Sequence, residues 1–255
     1  MPALTWIGHS TVLVELDDVV LLTDPVLRRR VAHLRRTAEP QSLEARFLDV
    51  VLVSHLHYDH LDLPSLRRLG RSIRVVVPAG GGPLLRRRGF REVTEVDVGD
   101  EVRVGPVTVR AAPAVHDGRR SPFSAHAPAL AYVVSGSKRI YFAGDTDLFD
   151  GMRSLAAGLD VALLPVAGWG SRLPFGHLDP ERAGRALALL RPRIAVPIHW
   201  GTYRRMGLAR EPWLLRVPAQ RFAEHAAQLA PNVEVRVLPI GGRLELACDD
   251  RAGAS

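Results

Sequence analysis

Short apolar runs separated by polar breaks dominate the chain, and two periods can be read in them. TVLVEL (11–16) and VVLLTD (19–24) have strand character and flank Asp17-Asp18, a pair suited to a tight hairpin turn. DVVLVS (49–54) is apolar throughout, as a strand buried on both faces is, and IRVVVP (73–78) repeats it. Between them, LPSLRRLG (63–70) has helical spacing and ends on Gly70. VTEVDVG (93–99), EVRVG (101–105) and VTVRAAP (107–113) predict a meander of three strands. A second series follows. LAYVVSG (130–136) and RIYFAGD (139–145) predict a hairpin, DVALLPV (160–166) a buried strand, and Asp179-Pro180 a helix start with Asp as N-cap. That helix runs to Leu190. RIAVPIHWG (193–201) is a further strand, VPAQRFAEHAAQLA (217–230) an amphipathic helix, and VEVRVLP and RLELAC close the pattern.

No repeat of residue identity accompanies this order, yet hairpin strands, buried strands and helices come twice. Two mixed sheets packed face to face, with helices outside, satisfy it. With no linker-like or low-complexity stretch, the expectation is an α/β fold in one domain over 1–248, followed by a frayed tail at 249–255.

Composition changes this picture little. Hydrophobic content of 47% is ordinary for a globular core. No apolar run approaches the roughly 20 residues of a membrane helix. The start, MPALTWIGHS, lacks the basic-then-apolar order of a signal peptide. The single cysteine, Cys248, rules out an internal disulfide and a cysteine-based zinc site, which points to a reducing, cytoplasmic setting. The net charge of +7 is carried almost wholly by arginine, Lys138 being the one lysine. Arginine clusters at 28–30, 67–68 and 86–88 have no interleaved aromatics, which argues against nucleic acid. They suit a solvated surface, or a basic rim for a phosphate-bearing substrate or an anionic membrane surface.

Residues 54–62, SHLHYDHLD, carry the chemistry. His55 and His57 alternate about Leu56, so an extended backbone points both to one side. Asp59 and His60 follow as the chain turns. Each pair offers a metal position, but zinc takes three or four ligands, so others must come from elsewhere. His116, Asp145 and His199 each follow an apolar strand run, and Gly144 before Asp145 permits close backbone approach. If these strand ends converge, His55, His57 and His116 serve one metal, Asp59, His60 and His199 a second, and Asp145 bridges both. Imidazole and carboxylate suit zinc, and also manganese or iron.

HLHYDH matches the His-x-His-x-Asp-His signature, and the sequence resembles the metallo-β-lactamase superfamily of binuclear metallohydrolases. WIGHSTVLVELDDVVLLTDPV (6–26), FAGDTDLF (142–149), GHLDPERA (176–183) and IHWGTY (198–203) resemble its branch of N-acyl-phosphatidylethanolamine phospholipase D and ascorbate-6-phosphate lactonase. The match runs from about Leu4 to Leu246. Residues 117–129, DGRRSPFSAHAPA, depart from it. The resemblance implies a four-layer αβ/βα sandwich with the site at one edge, and two divalent metal ions. It implies a metal-dependent hydrolase whose metal-bridging hydroxide attacks phosphorus or a carbonyl carbon, with Asp59 holding the hydroxide's proton. The substrate it favours is a small phosphodiester or phospholipid-like ester.

Three further residues have two readings each. Asp24, in LLTDP, either fixes a ligand histidine from behind or caps a turn. His9, in GHST, either does the same or is a buried structural histidine. His177 either donates to a phosphate oxygen or leaving group or helps cap the helix at Asp179. His33, His126 and His225 are expected at the surface. The alternatives to a phosphodiesterase are a lactonase or other carboxylic-ester hydrolase, a nuclease, and a non-catalytic metal-binding or sensor protein of the same fold. Peripheral membrane contact is compatible with the sequence.

Overall fold

A computed structural model describes residues 1–39, 47–120, 127–168, 173–206 and 215–247. The first hairpin closes as its sequence predicts. Asp17 and Asp18 take φ of 50° and 63°, the left-handed values a two-residue turn requires, and Leu16 lies opposite Val19.

Two seven-stranded sheets follow one plan. In the first, Arg243–Glu245, Ala3–Gly8, Thr11–Leu16 and Val19–Thr23 pair antiparallel, and Val50–Leu52, Arg74–Pro78 and Val93–Val96 continue in parallel. In the second, Glu101–Val104, Val107–Pro113, Leu130–Ser135 and Arg139–Phe142 pair antiparallel, and Val161–Pro165, Ile194–Ile198 and Glu234–Val235 continue in parallel.

The central parallel strands, Val50–Leu52, Arg74–Pro78, Val161–Pro165 and Ile194–Ile198, are almost wholly apolar because both of their faces are covered. Val50, Leu52 and Val76 point inward, where they meet Val109, Tyr132, Phe142, Leu163 and Ile198 of the other sheet. Val51, Val53, Val75 and Val77 point outward under Leu63, Leu66 and Leu69 of the helix Leu63–Leu69. The helices Pro180–Leu190 and Val217–Leu229 cover Ala162, Leu164 and Ala195 on the far side. The result is a four-layer αβ/βα sandwich.

The expected meander over 93–113 does not form. Val93–Val96 edges the first sheet, while the next two strands form a hairpin in the second. The chain crosses over at a turn in which Asp97 N–H donates to Asp100 Oδ2 at 2.8 Å and Gly99 takes φ 99°. Alternation within each strand is satisfied in either sheet, so it could not show the crossing. Of VEVRVLP only Glu234–Val235 is a strand, and of RLELAC only Arg243–Glu245. Cys248 and the tail lie outside the described residues. A third sheet was not foreseen. It joins Arg30–Val31, Leu34–Arg36 and Tyr203–Arg205, strands of two or three residues, too short to show a period. Among the described residues no helix is long and apolar enough to cross a membrane.

Candidate metal centre

The HLHYDH segment leaves the strand Val50–Leu52 and is held at both ends. Asp62 caps the following helix, accepting from Ser65 N–H at 3.0 Å. Arg120 donates to the carbonyls of Leu56 and Leu61 at 3.1 and 2.9 Å, closing the loop between them. Gly144 (φ 60°) lets the strand end that carries Asp145 approach. A Cβ there would stand 2.5 Å from Ser54 Cβ.

His55, His57 and His116 form one group. Ser54 Oγ gives its proton to Asp24 Oδ2 at 2.6 Å and so accepts from His55 Nδ1 at 3.0 Å. His116 Nδ1 donates to Gly176 O at 2.8 Å. These bonds fix the N–H of both rings on Nδ1 and leave each Nε2 with a lone pair. Both Nε2 atoms then aim at His57 Nδ1, at 3.0 and 3.2 Å. One proton on His57 can satisfy only one of them, whereas a cation satisfies all three. Burial keeps these rings neutral. His57 is pushed down to about 4, and His55, by burial and His60, well below its ordinary value.

His9, Asp59, His60 and His199 form the second group. His60 Nδ1 donates to Asp24 Oδ2 at 2.7 Å, which turns Nε2 inward. His9 Nε2 lies 3.3 Å from Asp59 Oδ2, and His60 and His199 Nε2 each lie 3.9 Å from it. Burial opposes ionisation of Asp59, but the hydrogen bond from His9 and the charge of His60 hold it well below the usual carboxylate range. Burial likewise acts against a charged His60, and Asp145 and Asp24 more than offset it, raising the ring well above its usual value. His199 is lowered to about 3, chiefly by burial.

Asp145 lies between the groups. Its Oδ2 is 3.3 Å from His60 Nε2, 3.4 Å from His199 Nε2 and 3.8 Å from His177 Nε2, and it also groups with His116. Its Oδ1 is buried without a hydrogen-bond partner among the described residues. Burial opposes its charge, but His199 and His60 keep it well below the ordinary range. Lone pairs converging from neutral His55, His57 and His116, ionised carboxylates and an orphaned carboxylate oxygen together fit divalent metal ions, with His60 giving up its extra proton when an ion binds.

All seven candidate ligands singled out in the sequence therefore come together in one cluster. Asp24 sits behind His60, and among the described residues its carboxylate bonds Ser54 and His60 and caps no turn. His9 stands nearer than either reading placed it, its ring nitrogen among those of the second group. Its backbone is held at φ 55°, with N–H on Thr202 Oγ1 at 2.6 Å and O accepting from Trp6 and His199. His177 is at the rim, with its ring edge-on to His116. His33 is exposed, His126 lies outside the described residues, and His225 is half-buried because its Cβ packs on Gly184 of the neighbouring helix. Sequence reasoning missed Ser54 and Gly176. The place of Ser54 beside His55 was a signal, whereas a backbone carbonyl leaves none.

Residues 20–200 match the model of the family described as a beta-lactamase superfamily domain. The chain is 34% identical over 227 residues to an N-acyl-phosphatidylethanolamine-hydrolyzing phospholipase D of Caenorhabditis elegans, covering 78% of this chain and 64% of that protein. It is 30% identical over 254 residues to a metal-dependent hydrolase of Methanopyrus kandleri, covering 95% and 99%. Among solved structures, a metallo hydrolase of Ignicoccus hospitalis is 25% identical with a TM-score of 0.72, covering 96% and 99%.

Proposed function

Because this chain belongs to the metallo-β-lactamase superfamily of metal-dependent hydrolases, we propose that it works with two divalent metal ions, zinc before manganese or iron, on a small phosphodiester or phospholipid-like ester. The observation that carries this reading is the pair of donor groups on either side of Asp145. His55, His57 and His116 would hold one ion and Asp59, His60 and His199 the other, with Asp145 available to both. The likeness to a phospholipase D supports the choice of a phosphodiester.

Bound divalent ions supply Lewis acidity, which lowers the pKa of water toward neutrality and polarises the oxygen under attack. The side chains do the rest. Asp59, steadied by His9, accepts a hydrogen bond from the attacking hydroxide and so holds its proton aside. His177, at the rim, donates to a phosphoryl oxygen or to the leaving group. Asp24 and Ser54 turn His60 and His55 inward.

Metal analysis of protein purified without added salts, joined to cleavage of bis-p-nitrophenyl phosphate against a lactone panel, tests the reading. Two ions per chain and phosphodiester turnover are expected. Lactone turnover alone moves the substrate to carboxylic esters. Full metal content with no turnover of either favours the sensor reading.

A further inference from the structure

The helix Pro180–Leu190 carries a basic residue where its N-terminal dipole disfavours one. Arg182 sits in the first turn, three residues after the N-cap Asp179. Its side chain reaches out of the helix to Asp147, where Nη2 donates to Oδ1. Asp147 is fully buried, and its carboxylate is otherwise spent on backbone. Oδ1 also accepts from Leu148 N–H at 2.6 Å, and Oδ2 accepts from Gly176 N–H at 3.0 Å.

That last bond links the ion pair to the metal centre. The Gly176 peptide region receives Asp147 at its N–H, and its C=O accepts from His116 Nδ1 at 2.8 Å. The approach is close. Gly176 takes φ 91°, and a Cβ there would stand 3.1 Å from His116 Nδ1. The other side of the same junction is tied as well, since Asp147 N–H donates to Val115 O at 2.9 Å. His116 is thereby held between two segments that both answer to Asp147. No side chain other than this pair ties the Gly176 N–H in the described residues.

We propose that Asp147 and Arg182 are positioning residues for His116: their ion pair anchors Gly176, whose carbonyl keeps the His116 proton on Nδ1 and its Nε2 turned toward His55 and His57. This rests on the metal-holding role proposed above for His116. A carbonyl or carboxylate behind a ligand histidine is typically worth about 10–100-fold in metal affinity. The pair acts one bond further out, through a buried carboxylate that has no role elsewhere in the site.

The test is Zn2+ titration of metal-stripped full-length protein against a chromophoric chelator, with the melting point of the stripped protein followed in parallel. His116→Ala first identifies the ion that depends on His116. Asp147→Asn is expected to weaken that ion by about 10-fold or more and to leave the other within about 3-fold. Arg182→Gln should do the same more weakly, and Arg182→Lys should restore part of the loss. A lower melting point with both affinities unchanged would overturn the proposal, as would equal weakening of both ions. Uptake of a single ion by the unaltered protein contradicts the binuclear reading alone, provided that ion responds to His116→Ala and Asp147→Asn. A single ion indifferent to His116→Ala overturns both. Because Arg182→Lys keeps the charge, a folding failure of Asp147→Asn does not end the test.

Discussion

Asp24 and Asp145 occupy equivalent places in the two halves of the fold and have opposite surroundings. Each follows the strand at which its sheet changes from antiparallel to parallel pairing. Asp24 has every oxygen used. Oδ1 accepts from Ser54 N–H at 2.7 Å, and Oδ2 from Ser54 Oγ and His60 Nδ1. Asp145 has one oxygen, Oδ1, with no hydrogen bond among the described residues, while its Oδ2 faces three imidazole nitrogens across 3.3–3.8 Å. A satisfied carboxylate can only orient a neighbour. One with an unsatisfied oxygen in a cluster of imidazoles is free to take a cation.

Replacing each carboxylate in turn is the strongest way to break that contrast. Asp145→Ala is expected to remove both ions and reduce turnover by at least about 10³-fold, as metal analysis and phosphodiester cleavage would report. Full metal content in that variant would refute its shared role. Asp24→Asn is expected to weaken most the ion on the His60 side, which Asp24 touches directly, by about 10–100-fold, and to weaken less the ion on the His55 side, which it reaches through Ser54. It should also destabilise the metal-free protein by about 1–3 kcal/mol, because buried Ser54 and His60 donors lose their acceptor. Denaturant unfolding of stripped protein measures this.

Acid tests the two carboxylates through the imidazoles packed around them. His57 at about 4 and His199 at about 3 lie below the ordinary value of 6.5, and His55 and His116 are lowered too, all chiefly by burial. As pH falls from about 6.5 toward 4, the unfolded chain takes up protons that the folded chain refuses, so stability falls with pH in that window. His60 has the opposite sign. Raised by Asp145 and Asp24, its contribution is whole below 6.5 and fades only as pH rises above its folded value. Thermal melts of metal-free protein should therefore fall steadily from pH 7 to 4. A flat profile would contradict burial of neutral rings.

Smaller effects are expected away from the two carboxylates. His177→Ala should keep full metal content and lower turnover by about 10²-fold, and unchanged kinetics would reduce it to a loop residue. Asp179→Ala removes a helix cap and should cost about 1 kcal/mol with the metal content unchanged.

Much of this could be read in advance because the candidate ligands sit where the hydrophobic pattern stops. A strand buried on both faces ends abruptly, and a histidine or aspartate just after it must lie at the sheet edge. His55, His116, Asp145 and His199 could be placed in that way. His9 could not. It follows a strand as well, but its ring reaches Asp59 only because its backbone takes a left-handed turn clamped by Thr202 and His199. The sheet assignment of 93–113 was also hidden, since alternation records burial and not the neighbour that provides it.

What the sequence determined by itself is the inventory of elements and donors, because side-chain period and residue type are local properties. Tertiary structure alone decided which donors face one another. The distances from Asp145 to His60, His199 and His177 join residues up to 85 positions apart. So does the choice between Asp24 as a support and Asp145 as a candidate ligand, for the two differ only in which polar groups the packed sheets bring to their oxygens.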